Sequence, residues 1–173
     1  MHHLNSLKNI TKFTNIMLQI RLVIWVILAF FALASGADKK PNLPRFASIK
    51  ASEANTRAGP GMNYHLLFLY QYRGIPVEII AEYDQWRKIR DINGDEGWIH
   101  SSILSGKRYV MIKTQEEIFL HSKDSAKSEI LARLSKYYTC QLLKHLNSWC
   151  KVKCAEYTGW VERKYIWGLY DYE

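Results

Sequence analysis

The feature that most constrains the fold is a pair of tryptophans that occurs twice. Trp86 and Trp98 stand 12 positions apart, Trp149 and Trp160 stand 11 apart, and the two pairs are offset by 63 and 62 residues. The second Trp of each pair sits between a glycine and a β-branched residue, in Gly97-Trp98-Ile99 and Gly159-Trp160-Val161. A period near 60 is too long for a solenoid repeat and suits a duplicated small domain. Only Ser105-Gly106-Lys107 separates the copies. With so little linker, the two domains are expected to touch.

The local pattern predicts strands. In Ile75–Glu82, the residues Val77, Ile79 and Ala81 fall on one face. A turn at Tyr83-Asp84-Gln85 leads to Trp86–Arg90, and Asn93-Gly94 is a hairpin signal ahead of Gly97-Trp98-Ile99. The second copy repeats the scheme, with Thr139–Lys144, a turn at His145–Ser148, and Trp149–Ala155. Ser125–Lys136 fits a helix by periodicity alone. The repeat register instead sets Ile130-Leu131-Ala132 against Leu67-Phe68-Leu69 and predicts a strand. About 60 residues is marginal for one core, so contact between the copies should help stability.

The first copy resembles the bacterial SH3-type domain. The resemblance rests on Asn55-Thr56-Arg57-Ala58-Gly59-Pro60-Gly61-x-Asn63-Tyr64, on Ile75–Ile80, on Trp86–Arg90, and on Gly94-x-Glu96-Gly97-Trp98-Ile99. The second copy matches through its two Trp positions and its hydrophobic pattern. Where the first has Gly59-Pro60-Gly61, it has polar and charged residues around Ser122-Lys123-Asp124. The implied fold class is all-β: two tandem small SH3-like β-barrels, 45–106 and a degenerate 107–173, after an N-terminal signal peptide and a linker at 38–44.

Residues 1–37 read as that signal. Lys8, Lys12 and Arg21 make a positive flank without an acid, Leu22–Ala34 is an apolar run of 13, and Ser35, Gly36 and Ala37 follow. The run is shorter than the ~20 residues a spanning helix needs. Cleavage after Ala34, Gly36 or Ala37 fits, and an uncleaved anchor is the alternative; only the anchor would bring a membrane partner. Both place the rest of the chain outside the cytoplasm, in the periplasm or cell envelope.

Loss of 1–37 lowers the net charge from +8 to +5. Residues 45–104 balance seven basic against seven acidic residues, and 105–173 carry twelve against eight. That spread is not a nucleic-acid stripe. It suits weak attraction to an anionic envelope polymer or an ordinary soluble surface.

The three cysteines, Cys140, Cys150 and Cys154, all lie in the second copy. Cys150 and Cys154 are four apart along one strand, about 13 Å and too far to bridge. Folding the hairpin at His145–Ser148 brings Cys140 near Cys154, so a Cys140–Cys154 disulfide with Cys150 buried and free is expected, against three reduced cysteines acting as small hydrophobes. The spacings of His145, Cys140, Cys150 and Cys154 do not match common zinc sites, and neither a metal nor another cofactor is expected. A Cys150 nucleophile would need a nearby His and a lowered pKa. No Gly-x-Ser-x-Gly, His-Glu-x-x-His or phosphate-binding Gly loop occurs, and no catalytic residue is assigned.

The resemblance therefore implies an exported, non-enzymatic binding module, with peptidoglycan stem or bridge peptides as the leading ligand class. A structural protein that binds another envelope protein is one alternative, and a small thiol- or metal-dependent hydrolase the other. The candidate ligand-binding residues are Arg57, Tyr64, Tyr83, Asp84 and Trp86. Gly59-Pro60-Gly61 can shape a tight loop that presents Arg57 and Tyr64, since Gly tolerates positive φ and Pro fixes its own. Tyr83 and Asp84 mark a hairpin tip. Trp86 shares a strand face with Lys88 and Arg90, outside a barrel filled by Val77, Ile79 and Ile89. Such aromatics can grip a peptide or sugar face. Arg57 also reads as a tie for its loop, and Trp98 as packing at the core edge.

Overall fold

A computed structural model describes residues 42–173, with Arg21 before them. The signal-peptide reading and the linker up to residue 41 fall outside the described residues. Among the described residues, no helix is long and apolar enough to cross a membrane.

The first half is built from β1 (Arg45–Ile49), β2 (Ala54–Arg57), β3 (Leu66–Tyr70), β4 (Pro76–Tyr83), β5 (Trp86–Arg90), β6 (Glu96–His100) and β7 (Leu104–Ser105). The second repeats it with β8 (Tyr109–Ile112), β9 (Ile118–His121), β10 (Ile130–Leu134), β11 (Thr139–His145), β12 (Trp149–Cys154), β13 (Tyr157–Glu162) and β14 (Ile166–Trp167). The sheets run β3-β2-β6-β5-β4-β1-β7 and β10-β9-β13-β12-β11-β8-β14, which is the same order twice. Each has one 3₁₀ turn before its last strand, at Ser101–Ile103 and Arg163–Tyr165. Residues 42–173 are all-β, two tandem SH3-like domains, and Ile130–Leu134 is a strand rather than a helix.

Alternation explains the strands. In β4, Val77 and Ile79 are buried while Glu78 is not, and in β12 Cys150, Val152 and Cys154 are buried between less buried neighbours. Pro76 is tolerated because it opens its strand. The hairpins β4–β5 and β11–β12 each carry a register shift, after Ile79 and after Leu142. A bulge there bends the strand and adds twist, which a small curled sheet requires. The first core is Ala47, Ile49, Ala54, Val77, Ile79, Ile89 and Ile99. The second is Val110, Ile112, Ile118, Leu120, Leu134, the three cysteines, Val152, Val161 and Ile166. Each fully buried aliphatic side chain contributes about 1.5–3 kcal/mol.

Pro41–Glu173 forms one compact unit. Its halves meet through Phe46, whose ring lies edge-on to Trp167 at 5.0 Å and against Tyr170 at 4.6 Å. Ser48 Oγ donates to Lys107 O (2.8 Å), Tyr170 to Glu78 (2.8 Å), and Tyr137 to Asn93 Oδ1 (2.9 Å). Burial, then the Glu78 carboxylate, raises the Tyr170 hydroxyl pKa, so it stays a donor at neutral pH. Gly74, at φ +82, gives up a side chain where the Tyr109 ring packs; a Cβ there would lie 2.8 Å from that ring.

Candidate functional site

Three adjacent strands build one outer face. Trp86 lies opposite His100, Lys88 opposite Trp98, and Trp98 opposite Arg57. Directly opposed residues in antiparallel strands project to the same side, and so does every second residue along a strand. Arg57, Trp86, Lys88, Trp98 and His100 therefore share the outer face, while buried Thr56, Ile89 and Ile99 share the inner one. Tyr83 lies opposite Trp86 and extends the face to the hairpin end.

Trp86 is held edge-on against the His100 ring, centroids 5.5 Å apart. His100 Nδ1 accepts the Ser102 N–H at 3.3 Å, capping the 3₁₀ turn. In the neutral ring this leaves Nε2–H as the donor. Ser101 N donates to Gln85 O (2.8 Å), which ties that turn to the hairpin tip. At the other end of the face, Glu96 accepts from Lys88 (2.6 Å) and Arg90 (2.9 Å). These bonds, Lys88's first, hold its carboxyl below the usual range.

Asp84 forms the exposed tip at φ +47, a left-handed conformation that Asp adopts more readily than most residues. Arg57 Nη1 donates to Tyr64 O (2.7 Å), closing the loop between β2 and β3. The glycines of that loop do not serve positive φ: only Gly74, Gly94 and Gly168 have it among the described glycines. They make room. A Cβ on Gly59 would fall 2.4 Å from the Tyr64 ring, and one on Gly61 2.7 Å from Asn63 Oδ1.

Of the five candidate residues, Arg57, Tyr83 and Trp86 thus share one face, Asp84 sits at its tip, and Tyr64 joins through its backbone to Arg57. The reading of Trp98 changes. It is half-buried on the outer face, between Lys88 and Arg57, and outside the core cluster. Strand parity was the available signal: Trp98 and His100 share one side, and Ile99 takes the other.

The second barrel keeps the ladder with different chemistry. Trp149 lies opposite Glu162, Lys151 opposite Trp160, and Trp160 opposite His121. His121 is buried and meets Trp149 edge-on at 5.5 Å. The loop after it is closed by the Ser128 hydroxyl, which donates toward Ser125 O (2.8 Å) and accepts from Lys123 N (3.2 Å). Cys140 and Cys154 are joined by a disulfide, their Cα atoms 4.5 Å apart. Cys150 is fully buried, and burial pushes its thiol up to about 11, with Arg163 opposing. At neutral pH it is a thiol and not a thiolate. No group of three or more His, Cys, Asp or Glu residues is arranged to hold a metal among the described residues.

The family model for the bacterial SH3 domain matches residues 50–106 and again 114–168. The chain belongs to the bacterial SH3 domain family. It is also similar to the "Putative N-acetylmuramoyl-L-alanine amidase YrvJ" of Bacillus subtilis (strain 168), with 23% identity over 130 residues, covering 69% of this chain and 25% of that protein. Among solved structures it is similar to NlpC2 and NlpC1 of Trichomonas vaginalis, each at 12% identity and a TM-score of 0.33. The matches cover 74% and 75% of this chain and 49% and 48% of those chains. The chain thus spans a quarter of the curated relative and about half of the structural ones.

Proposed function

We propose that this protein is an exported, envelope-associated binding module without a reaction of its own, and that its first barrel recognises a peptide element of peptidoglycan. The observation that carries this is the outer face Tyr83–Trp86–His100–Trp98–Lys88–Arg57, on a chain of the bacterial SH3 family. Aromatic rings offer flat contact area at low entropic cost, and flanking charged groups orient a peptide's termini. On this reading Tyr64 and Trp86 pack against the ligand, Asp84 pairs with an amine, and Arg57 orients the Tyr64 loop. The amidase relative is named for a bond between muramic acid and alanine, the same polymer at its peptide junction. A buried Cys150 thiol near pKa 11 supports the reading without an enzyme over a thiol hydrolase.

The test is retention of the purified protein on insoluble peptidoglycan, with Tyr64→Ala and Trp86→Ala in parallel and salt varied. Specific recognition gives retention that survives moderate salt and falls in both variants. Retention lost at moderate salt reduces it to charge attraction. No retention at all moves the reading to a protein partner in the envelope.

A further inference from the structure

The two barrels can be matched position by position on one outer face, because their ladders keep the same register. In the first, Glu78 lies opposite Arg90, Arg90 opposite Glu96, Ala81 opposite Lys88, and Lys88 opposite Trp98. In the second, Gln141 lies opposite Lys153, Lys153 opposite Thr158, Lys144 opposite Lys151, and Lys151 opposite Trp160. The bulge falls at the same place in both, with Ile80 extra beside Ala81 and Leu143 extra beside Lys144. Opposed residues and alternate residues of a strand project to one side. Cys150, Val152 and Cys154 fill the core on the other. In the first barrel the cations and carboxylates of this face balance and are paired. Glu96 takes Lys88 (2.6 Å) and Arg90 (2.9 Å), and Glu78 takes Arg90 as well (3.4 Å). In the second barrel both carboxylate positions are neutral, as Gln141 and Thr158, and the alanine position has become Lys144.

Among the described residues, Lys144, Lys151 and Lys153 make no ion pair. Lys144 and Lys153 are exposed, and Lys151 lies 6.0 Å from the Trp160 ring centroid. Of the acids on the β12–β13 hairpin, Glu162 is taken by Lys164 at 2.6 Å, and Glu156 sits in the turn beyond Cys154. Like charges directly opposite one another destabilise a sheet, as Lys144 and Lys151 do here, and an external anion relieves that repulsion. We propose that this face of the second barrel binds a linear phosphate polymer. Lys151 and Lys153 leave their strand about 6.7 Å apart, and Lys144 stands about 5 Å across from Lys151. A chain with anions repeated along it can meet all three at once, which a single small anion cannot. The planar fork of Arg90, which holds carboxylates in the first barrel, is replaced by Lys153, whose compact ammonium meets a tetrahedral phosphate as a point charge. Gln141 and Thr158 add hydrogen-bond donors between the cations. A lipid surface would need apolar side chains to insert beside the lysines. Leu143 is the one exposed aliphatic residue on β11–β13, and Trp160 is half-buried. This face is separate from the first barrel's, and its ligand does not depend on what that barrel binds.

The matched positions make the test specific. Calorimetric titration of the purified protein with long-chain inorganic polyphosphate should show saturable binding at moderate salt. Lys144→Gln with Lys151→Gln and Lys153→Gln should weaken it by roughly tenfold or more, and should flatten its salt dependence by about one unit of slope per lysine. Gln141→Glu with Thr158→Glu gives the second barrel the first barrel's carboxylates and should weaken binding comparably, with all three lysines in place. Lys50→Gln with Lys123→Gln and Lys127→Gln removes as much charge elsewhere and should leave binding unchanged. The proposal is overturned if the wild type does not bind, or if the Lys50, Lys123 and Lys127 variant loses as much as the face variant, which would reduce the effect to net charge. It is overturned equally if the two added carboxylates leave binding intact while circular dichroism is native. Tighter or equal binding of polyglutamate would assign the face to a carboxylate polymer instead, and tighter or equal binding of phosphatidylglycerol vesicles would assign it to a membrane.

Discussion

The two barrels share a strand order, a bulged hairpin, a 3₁₀ turn and a Trp–Lys–Trp ladder, and they differ in the residues around that ladder. In the first, Trp86 rests on His100 of β6; in the second, Trp149 rests on His121 of β9, the neighbouring strand on the other side of β13. The same edge-on contact is made from the adjacent strand in the first barrel and from one strand further along the sheet in the second. Arg57 and His121 hold the same ladder position, opposite the second Trp. Arg57 reaches out to close a glycine loop, whereas His121 packs against Trp149 on that face and is buried. The inner face is set by alternating apolar residues that must exclude water, and few side chains satisfy it. The outer face has no such requirement, so there the copies keep the Trp–Lys–Trp ladder and differ in its neighbours.

The sharpest way to break the comparison is to remove the covalent tie that only the second barrel has. Cys140→Ser with Cys154→Ser opens a loop of sequence separation 14 and should cost about 3 kcal/mol. Hydrogen exchange resolved by barrel should show the loss mainly in residues 109–167, and equal loss in both halves would mean that they unfold as one.

The Gly-Trp motif gives the next contrast. An added Cβ at Gly159 would lie 2.6 Å from His121 O, a backbone atom, whereas at Gly97 it would meet the Thr56 side chain at 2.9 Å. Gly159→Ala should therefore cost about 2–3 kcal/mol and Gly97→Ala about 1 kcal/mol, the range of overpacking. Chemical denaturation of each variant checks the order.

Cys150 gives the second barrel a thiol pH dependence, and the first barrel has no cysteine. Its folded-state pKa, about 11, lies above the ordinary thiol value of 9.0. The unfolded chain loses the proton first, so stability is intact below about pH 9 and falls between pH 9 and 11, by roughly 2–3 kcal/mol. Subtracting the melting curve of Cys150→Ala across that range isolates the contribution. A flat difference would mean that the thiol is less enclosed than its burial indicates.

The smallest effect concerns the junction. Tyr137→Phe removes the bond to Asn93 Oδ1 and should cost about 0.5 kcal/mol. A larger loss, seen by denaturation, would show that the barrels depend on each other more than their separate cores imply.

Much of the architecture was legible in the sequence because burial writes itself as parity. Val77, Ile79 and Ile89 carry the two-residue period of one inward face, and the doubled Trp spacing carries the duplication. The candidate face was legible only in pieces. Trp86 with Lys88 follows from parity within β5, but Trp98 beside Arg57 needs the β2–β6 register, which joins segments some 40 residues apart. The glycine loop was misleading in a useful way. Glycine spacing suggests unusual φ, whereas Gly59 and Gly61 serve the close approach of the Tyr64 ring.

By itself, then, the sequence determined the duplication, the all-β class and the inward faces, since these follow from local alternation and from a repeat that needs no partner to be seen. The tertiary structure alone decided which outer residues become neighbours, which histidine holds each tryptophan, and that Leu66–Leu69 lies at a sheet edge. The physical reason is that a strand's pattern states which side faces the core, but its neighbours, and whether it has one on each side, are set by pairing between distant segments.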